Sequence, residues 1–453
     1  MKYPLLAIAL ACAALVPCGS AAANLIVGIN DAVQYEASVP SFFMPTMQAE
    51  GLKVNTLTLR WDDTQPTTID PVLGPDIQQV IGEAASAGVT VELDLYPLHS
   101  QAFTDGQKCT PSTNPAACGD TAKIQQFAAW TAQVAQAFPT VHEFIVMNEC
   151  NQPLFLNPQW NTAGQNQSAE ICGRALGAAY DALKAVNPTN VVWGVGLSPR
   201  GNDAVAAPTD SSTSPVRFLQ DLGTWFRAYA AATHRKAPLM DGFDFHPYPI
   251  PQSLPLAKGY ADPYDASVAN LPRIYEAFYT AFIGTPQRTI GQQKGGGLPV
   301  SLNEMGIQTS EPNMLGYQGV ETSANAAGGM IGQFASQAYQ ATYYEQMLQL
   351  LACDPNVRVV NIFHLVDEPN LSGWQSGLFF FGDPKPIAKE SASVVAGWIS
   401  QTGGACQGKM APWYPVALTP PSSKRALTDR TCVRYAPNTC SPTRSSAKLS
   451  SVR

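Results

Sequence analysis

Two glutamates close apolar, strand-like runs that lie far apart in the chain. The first run is Phe144-Ile145-Val146-Met147-Asn148-Glu149, and the second is Val300-Ser301-Leu302-Asn303-Glu304-Met305-Gly306. A carboxylate ending an apolar strand is costly unless it meets a partner or faces a polar cavity. Two that converge on one cavity could divide acid–base work. One would deliver a proton while the other attacks or activates water, which is the pair that cleavage of a glycosidic bond needs. The competing use is structural, with each Glu forming an ion pair to an arginine of the same sheet. Further polar and aromatic residues fall at comparable places: Arg60, Tyr96, His246 with Tyr248, His364, and Trp374 ten residues beyond it.

The elements that would position these groups are short apolar, β-branched runs, each followed by turn residues and a longer Ala/Gln/Leu-rich stretch. Strands are expected over residues 25–30, 56–61, 90–96, 143–148, 191–197, 242–246, 300–303 and 359–363. Helices are expected over 75–87, 122–138, 171–185, 215–233, 271–282 and 336–351. Runs apolar on both faces and alternating with helices are the mark of a parallel sheet. Eight of them in one alternation predict an α/β fold, a closed (β/α)8 TIM barrel, with the glutamates at strand ends on its active face. The stretch exceeds the roughly 250 residues of a bare barrel. Its excess lies after strands, at 97–120, 150–170, 198–214, 249–268 and 305–335, as extended βα loops that would wall a groove.

Composition narrows the partners. The chain has 453 residues, 45% hydrophobic and 13% charged, with a net charge of −7; mean hydropathy is −0.06. That is globular, and it carries no basic footprint for nucleic acid over its body. From Ala405 to Arg453, eight Lys and Arg stand against Asp429 alone, so residues 405–453 read as a short, irregular basic tail containing Pro and Ser. Residues 1–23 read as a signal peptide: Lys2, an apolar stretch from Leu5 to Val16, then Ser20-Ala21-Ala22-Ala23 before a cleavage site. The catalytic barrel is expected over 24–404. Ten cysteines, less Cys12 and Cys18 of the leader, leave eight. An even number suits an oxidising compartment, secreted or periplasmic. The pairs Cys109–Cys118, Cys150–Cys172, Cys353–Cys406 and Cys432–Cys440 are one plausible set; spacing does not fix connectivity. No integral membrane segment is expected, and a monomer is.

Asn148-Glu149 on the fourth strand, Glu304-Met305-Gly306 on the seventh and His246-Pro247-Tyr248 after the sixth resemble the clan A retaining β-glycosidases. Ser376-Gly377-Leu378 and Gly382-Asp383-Pro384-Lys385-Pro386 extend the likeness, which covers about residues 25–400 and is nearest to glycoside hydrolase families five and thirty-nine. The resemblance implies double displacement, with Glu304 as nucleophile and Glu149 as acid/base. It implies that Glu149 occupies the less polar setting that raises its pKa, while hydrogen bonds keep Glu304 ionised. By matching position, Asn148 would bind the sugar 2-hydroxyl, Tyr248 would hydrogen-bond Glu304, and His246 would orient Glu149 or substrate. Arg60 would hold Glu304 as a carboxylate. Arg60 as a barrel ion pair and His246 as a core histidine are the structural alternatives. The chain departs from family five at Tyr96, where a His is usual, and at His364, where a Trp is usual. Trp374 is then expected to supply the sugar platform, with Trp61, Trp160 and Tyr317 as further stacking candidates.

Other chemistries find no motif. The chain has no Gly-x-Ser-x-Gly elbow, no His-Glu-x-x-His and no Walker loop, and its five His do not pair at ligand spacing. No cofactor and no metal are expected. The expected reaction is hydrolysis of β-glycosidic bonds in a poly- or oligosaccharide, endo-acting given the walled groove. The alternative is a catalytically inactive carbohydrate-binding protein on the same barrel.

Overall fold

The computed structural model describes residues 24–104, 121–161, 163–205, 211–291, 297–310, 316–318, 334–382 and 385–408. Eight parallel strands follow one another around a closed barrel: β1 (Ile26–Asp31), β2 (Val54–Trp61), β3 (Thr90–Pro97), β4 (Glu143–Val146), β5 (Val191–Leu197), β6 (Gly242–Phe245), β7 (Val300–Met305) and β8 (Val357–Ile362). β8 pairs back to β1 in parallel, Val27 opposite Val360. This is the (β/α)8 TIM barrel expected from the alternation, with strand ends within a few residues of those read from sequence.

Helices cover the barrel: α1 (Val33–Ser38), α2 (Pro40–Glu50), α3 (Leu73–Ala87), α4 (Thr121–Ala137), α5 (Gln167–Val186), α6 (Pro215–Thr233), α7 (Leu271–Phe282), α8 (Gln337–Leu351) and α9 (Glu390–Thr402). A small antiparallel pair, β9 (Phe379–Phe380) and β10 (Ile387–Ala388), lies between β8 and α9. Among the described residues no helix is long and apolar enough to cross a membrane. The leader at 1–23, Cys109, Cys118, Cys432, Cys440 and the tail beyond residue 408 lie outside the described residues.

Alternate strand residues divide two environments. Leu57, Leu59, Leu93, Leu95, Phe243 and Phe245 are buried in the apolar layer between strands and helices. The inner face is polar, which overturns the expectation of strands apolar on both sides. The Thr56 hydroxyl lies 2.8 Å from Asn303 Oδ1 and 3.1 Å from Glu92 Oε2, and it accepts from Asn361 Nδ2 at 2.9 Å. Burial, helped by Glu143, lifts Glu92 to about 8, so it is a neutral acid at pH 7 within this network. Mutual hydrogen bonds are what let such groups fill a barrel interior.

Among the described residues two disulfides tie loops to helices, and both match pairs considered from the sequence. Cys150–Cys172 joins the loop after β4 to α5, and Cys353–Cys406 joins the end of α8 to the segment after α9. The Asn166 side chain caps α5 by accepting from Ala169 N at 3.1 Å, fixing where the loop after β4 ends. Leu25 N donates to Gly404 O at 2.9 Å, so both ends of the barrel unit meet.

Candidate active site

Asn148 and Glu149 are neighbours, yet both line the same cavity above β4. A straight strand would send them to opposite sides. The backbone breaks the alternation, with Met147 at φ 71° and Glu149 at φ 38°. A non-glycine residue in the left-handed region costs of order 1–3 kcal/mol and persists where its surroundings over-determine it. Here Met147 N donates to Leu95 O of β3 at 3.0 Å, and Glu149 N donates to Gly196 O of β5 at 2.8 Å. Gly196 has φ 53°, and a Cβ there would stand 3.2 Å from His246 Nε2 and 3.3 Å from Asn148 Oδ1, space the site already uses. A similar break serves Glu304. The β7–β8 register shifts between Leu302 and Met305; Asn303 stays in the barrel network while Glu304 enters the cavity.

A carboxylate oxygen of Glu149, one of Glu304 and a ring nitrogen of His246 all lie within 4.8 Å of one another. His246 Nδ1 is 3.1 Å from Glu149 Oε1 and 3.5 Å from Glu304 Oε2. Its Nε2 is 3.4 Å from Asp244 Oδ2, an ion-pair distance without an aligned hydrogen bond. The Tyr248 hydroxyl donates to Glu304 Oε2 at 3.0 Å. The His246 side chain is fully buried, whereas those of Glu149 and Glu304 keep 15% and 13% exposure to the cavity.

Charge in the site follows from this packing. Burial alone would depress the His246 imidazole, but the Glu304, Asp244 and Glu149 carboxylates outweigh it and hold the ring well above the usual histidine range. His246 is therefore a cation between the two glutamates. Burial pushes the Glu304 carboxyl up; His246 draws it back, Glu149 pushes it further and Tyr248 draws it back again, leaving it raised. The sequence resemblance implies that hydrogen bonds keep Glu304 ionised; Tyr248 and His246 do lower it, but burial and Glu149 raise it more. The reason is that Tyr248 and His246 act on a carboxyl with little access to water. Tyr248 and Tyr96 are raised by burial and by nearby carboxylates, so both are neutral donors. Beneath them Asp94 is fully buried and, through desolvation and the charges of Glu304 and Asp244, is held well above the carboxylate range as a protonated acid.

The cavity has a volume of about 660 Å³. Near Glu304 its wall is aromatic: Trp374 lies 4.8 Å from Tyr248 between ring centroids and meets Phe363 edge-on at 5.9 Å. Tyr96 lines the opposite wall against Phe155. Such faces suit the C–H surfaces of sugar rings. Of the residues singled out in the sequence, Asn148, Glu149, Tyr96, Tyr248, Glu304 and Trp374 line this cavity, and His246 lies just beneath it.

Arg60 and His364 do not join them. Arg60 is exposed at the rim, one inward position above Thr58, which takes the place in the cavity wall. Among the described residues no hydrogen bond or ion pair runs from Arg60 to Glu304, whose partners are Tyr248 and His246. His364 turns toward β1, with Nδ1 2.7 Å from Asn30 O and Nε2 3.2 Å from Glu368 Oε1; Phe363 lines the cavity in its stead. Trp61 is fully buried and stacked on Phe103 and Trp160 is buried, so neither is a platform; the half-buried Tyr317 donates its hydroxyl to Asp367 Oδ2 at 2.7 Å. Sequence reasoning also missed Asp244 and Phe363. Period-two alternation carries the signal: Asp244, His246 and Tyr248 are two apart, as are Asn361 and Phe363.

Among the described residues two clusters have metal-ligand residue types: Glu149, His246 and Glu304, and separately Asp62, Asp63 and His99. In the first, the ring nitrogens of a cationic His246 already face carboxylates. In the second, Lys123 Nζ already pairs with Asp63 at 3.1 Å. Both sets suit protons better than a metal ion.

No protein-family model matches the chain, and no curated protein is similar to it in sequence. Solved structures share its fold. One is a family 39 glycoside hydrolase from Bacteroides cellulosilyticus WH2, with 15% identity over 83% of this chain and a TM-score of 0.50. This chain spans 64% of that protein's length. Others are the β-glucosidase from Thermotoga maritima in complex with glucoimidazole (TM-score 0.51, 10% identity, 84% of this chain and 99% of that one) and with azafagomine (0.50, 11%, 85% and 99%). At these identities the likeness establishes the fold alone.

Proposed function

We propose that this protein is a glycoside hydrolase that cleaves β-glycosidic bonds with retention, using Glu304 as nucleophile and Glu149 as acid/base. The observation that carries the reading is the approach of the two carboxylates to within 4.8 Å at the floor of an aromatic-walled cavity. A retaining pair stands roughly 5–5.5 Å apart, and an inverting pair leaves roughly 6.5–9.5 Å for a water molecule. The nearer class is the retaining one.

Each step has a group in place. Glu304 attacks the anomeric carbon as a carboxylate, its charge held by the Tyr248 hydroxyl and the His246 cation. Glu149 gives its proton to the leaving oxygen as the C–O bond breaks. Once Glu304 is an ester its negative charge is gone, so a carboxylate at Glu149 no longer faces a like charge at close range. Glu149 is therefore ionised at this stage and accepts a proton from the incoming water, which displaces Glu304 and restores the starting state. Asn148 and Trp374 line the cavity where they can bind the sugar's hydroxyls and face.

The substrate in this reading is a β-linked poly- or oligosaccharide, cut endo-wise. The two disulfides support action outside the cytoplasm, in keeping with a cleaved leader. The test is hydrolysis of a panel of aryl β-glycosides by the wild type and by Glu304→Gln. Release of aryl alcohol by the wild type and its loss in the variant are expected. Binding without release across the panel would instead indicate an inert, carbohydrate-binding barrel.

A further inference from the structure

Given that reading, the leaving group departs on the side of Glu149, where the loops after β4 and β5 form the wall. There the cavity changes character. Around Glu304 it is aromatic; on the β4–β5 side Gln152, Arg200 and Asn202, joined by Asp265 from the loop after β6, line it beside Leu154 and Phe155. Arg200 is the cation of this arm. Its Nε is buried with no acceptor, and its guanidinium lies 5.9 Å from the ring of Tyr260. Among the described residues no carboxylate lies within ion-pair distance of it. The nearby acids are engaged elsewhere: Asp203 receives Ser214 N at 3.0 Å and Ser214 Oγ at 2.9 Å, and it pairs with Arg217 at 3.8 Å. Asp265 accepts from Gly201 N at 3.2 Å. Burial lifts Asp265 to about 6 while Arg200 draws it down, so near pH 7 it is mostly a carboxylate that lines the same arm without pairing to Arg200.

The arm is also held in place. Arg200 O accepts from Gln152 Nε2 at 2.6 Å, joining the two loops, and Ala266 N donates to Pro199 O at 2.9 Å. The next residue, Gly201, packs so closely that a Cβ would lie 2.0 Å from Ser214 N. A held, part-buried guanidinium with no ion-pair partner among the described residues, lining the same cavity as Glu149, offers a binding element for an anion on the departing unit.

We propose that the leaving-group sugar carries an anionic substituent that Arg200 binds, making the protein selective for acidic glycans. A uronic acid carboxylate matches the planar guanidinium in a two-point contact; a sulfate ester offers the same charge.

The test uses matched disaccharides in which the sugar best accepted in the aryl panel is β-linked to D-glucuronate, to D-glucose 6-sulfate or to D-glucose. The wild type should cleave at least one charged disaccharide about tenfold more efficiently than the neutral one, mainly through KM. Which one it is identifies the anion. Arg200→Gln should bring the ratio of charged to neutral kcat/KM close to one, and Arg200→Lys should retain part of it. Equal or better cleavage of the neutral disaccharide by the wild type, or an undiminished preference in Arg200→Gln, overturns the proposal. If Arg200→Gln does not fold, the wild-type preference decides alone. Aryl glycoside turnover without charge preference removes this inference and leaves the hydrolase reading standing. If no aryl glycoside is turned over, calorimetry decides: tighter binding of free D-glucuronate or glucose 6-sulfate than of glucose supports the Arg200 site, and equal or weaker binding ends it.

Discussion

Two buried histidines, His246 after β6 and His364 after β8, stand beside carboxylates at the mouth of the same barrel. Both are cations. Burial alone would depress each, and neighbouring carboxylates outweigh it, holding His246 well above the usual range and His364 at about 9. What differs is the fate of the carboxylate oxygens. Glu149 and Glu304, around His246, keep a share of their surface facing a cavity. Asp31, beside His364, accepts from Ala32 N, Leu365 N and Val366 N at 2.7, 2.8 and 3.2 Å, stapling β1 to the loop after β8. His364 itself is anchored to Asn30 O. The same ingredients give a reactive centre in one place and a structural clamp in the other. Glu368, the other partner of His364, is 35% exposed but does not line the cavity; two carboxylates converging on one cavity make the difference.

Substitutions can break or sharpen that contrast. Glu304→Gln removes the nucleophile and should lower kcat on an aryl β-glycoside by about 10³-fold or more, without a matching fall in melting temperature. Tyr248→Phe removes the hydrogen bond on Glu304 and should cost about 10–100-fold. It also carries a pH signature. Both Tyr248 and His246 lower the Glu304 carboxyl, and Glu304 must be ionised to attack. Tyr248→Phe or His246→Gln should therefore move the acid limb of the kcat/KM profile to higher pH, and an unmoved limb would count against the assignment.

On the clamp side, His364→Gln should act on stability and leave activity per folded molecule within about threefold. The folded value of about 9 lies above the unfolded 6.5. This contribution is thus complete below pH 6.5 and is lost as pH rises through about 9. Asp31 is itself lifted to about 6 by burial, which offsets part of it, so a difference of about 1–3 kcal/mol is expected at pH 6. Denaturant unfolding should show the gap between wild type and variant closing toward pH 9.5. The smallest effect belongs to Arg60→Gln. With no contact to Glu304, it should change kcat/KM within about twofold; a hundredfold loss would show that the rim arginine reaches the nucleophile in turnover.

Much of this was legible in the sequence. Apolar runs bounded by turn residues mark all eight strands, and an acid ending such a run singles out Glu149 and Glu304. The helices α1, α2 and α9 are not among the stretches read. Pro45 inside α2 reads as a breaker, and that helix has little segregation of apolar residues. The polar lining was missed because Glu92, Asp94 and Asp244 each stand between apolar neighbours, so the run reads as uniformly buried. At the end of β8, chemical type drew attention to His364, whereas alternation from the inward-facing Asn361 points to Phe363. The bends that turn Asn148 and Glu149 to one side have no local signature. Bonds from Met147 and Glu149 to β3 and β5 impose them, and those strands are distant in sequence.

The separation of the two glutamates predicts a stereochemical outcome that one measurement reads directly. Proton NMR of the first sugar released from a β-glycoside, recorded before mutarotation, should show the β-anomer. An initial α-anomer would mean that water attacks without a Glu304 ester, and the double-displacement account would be wrong.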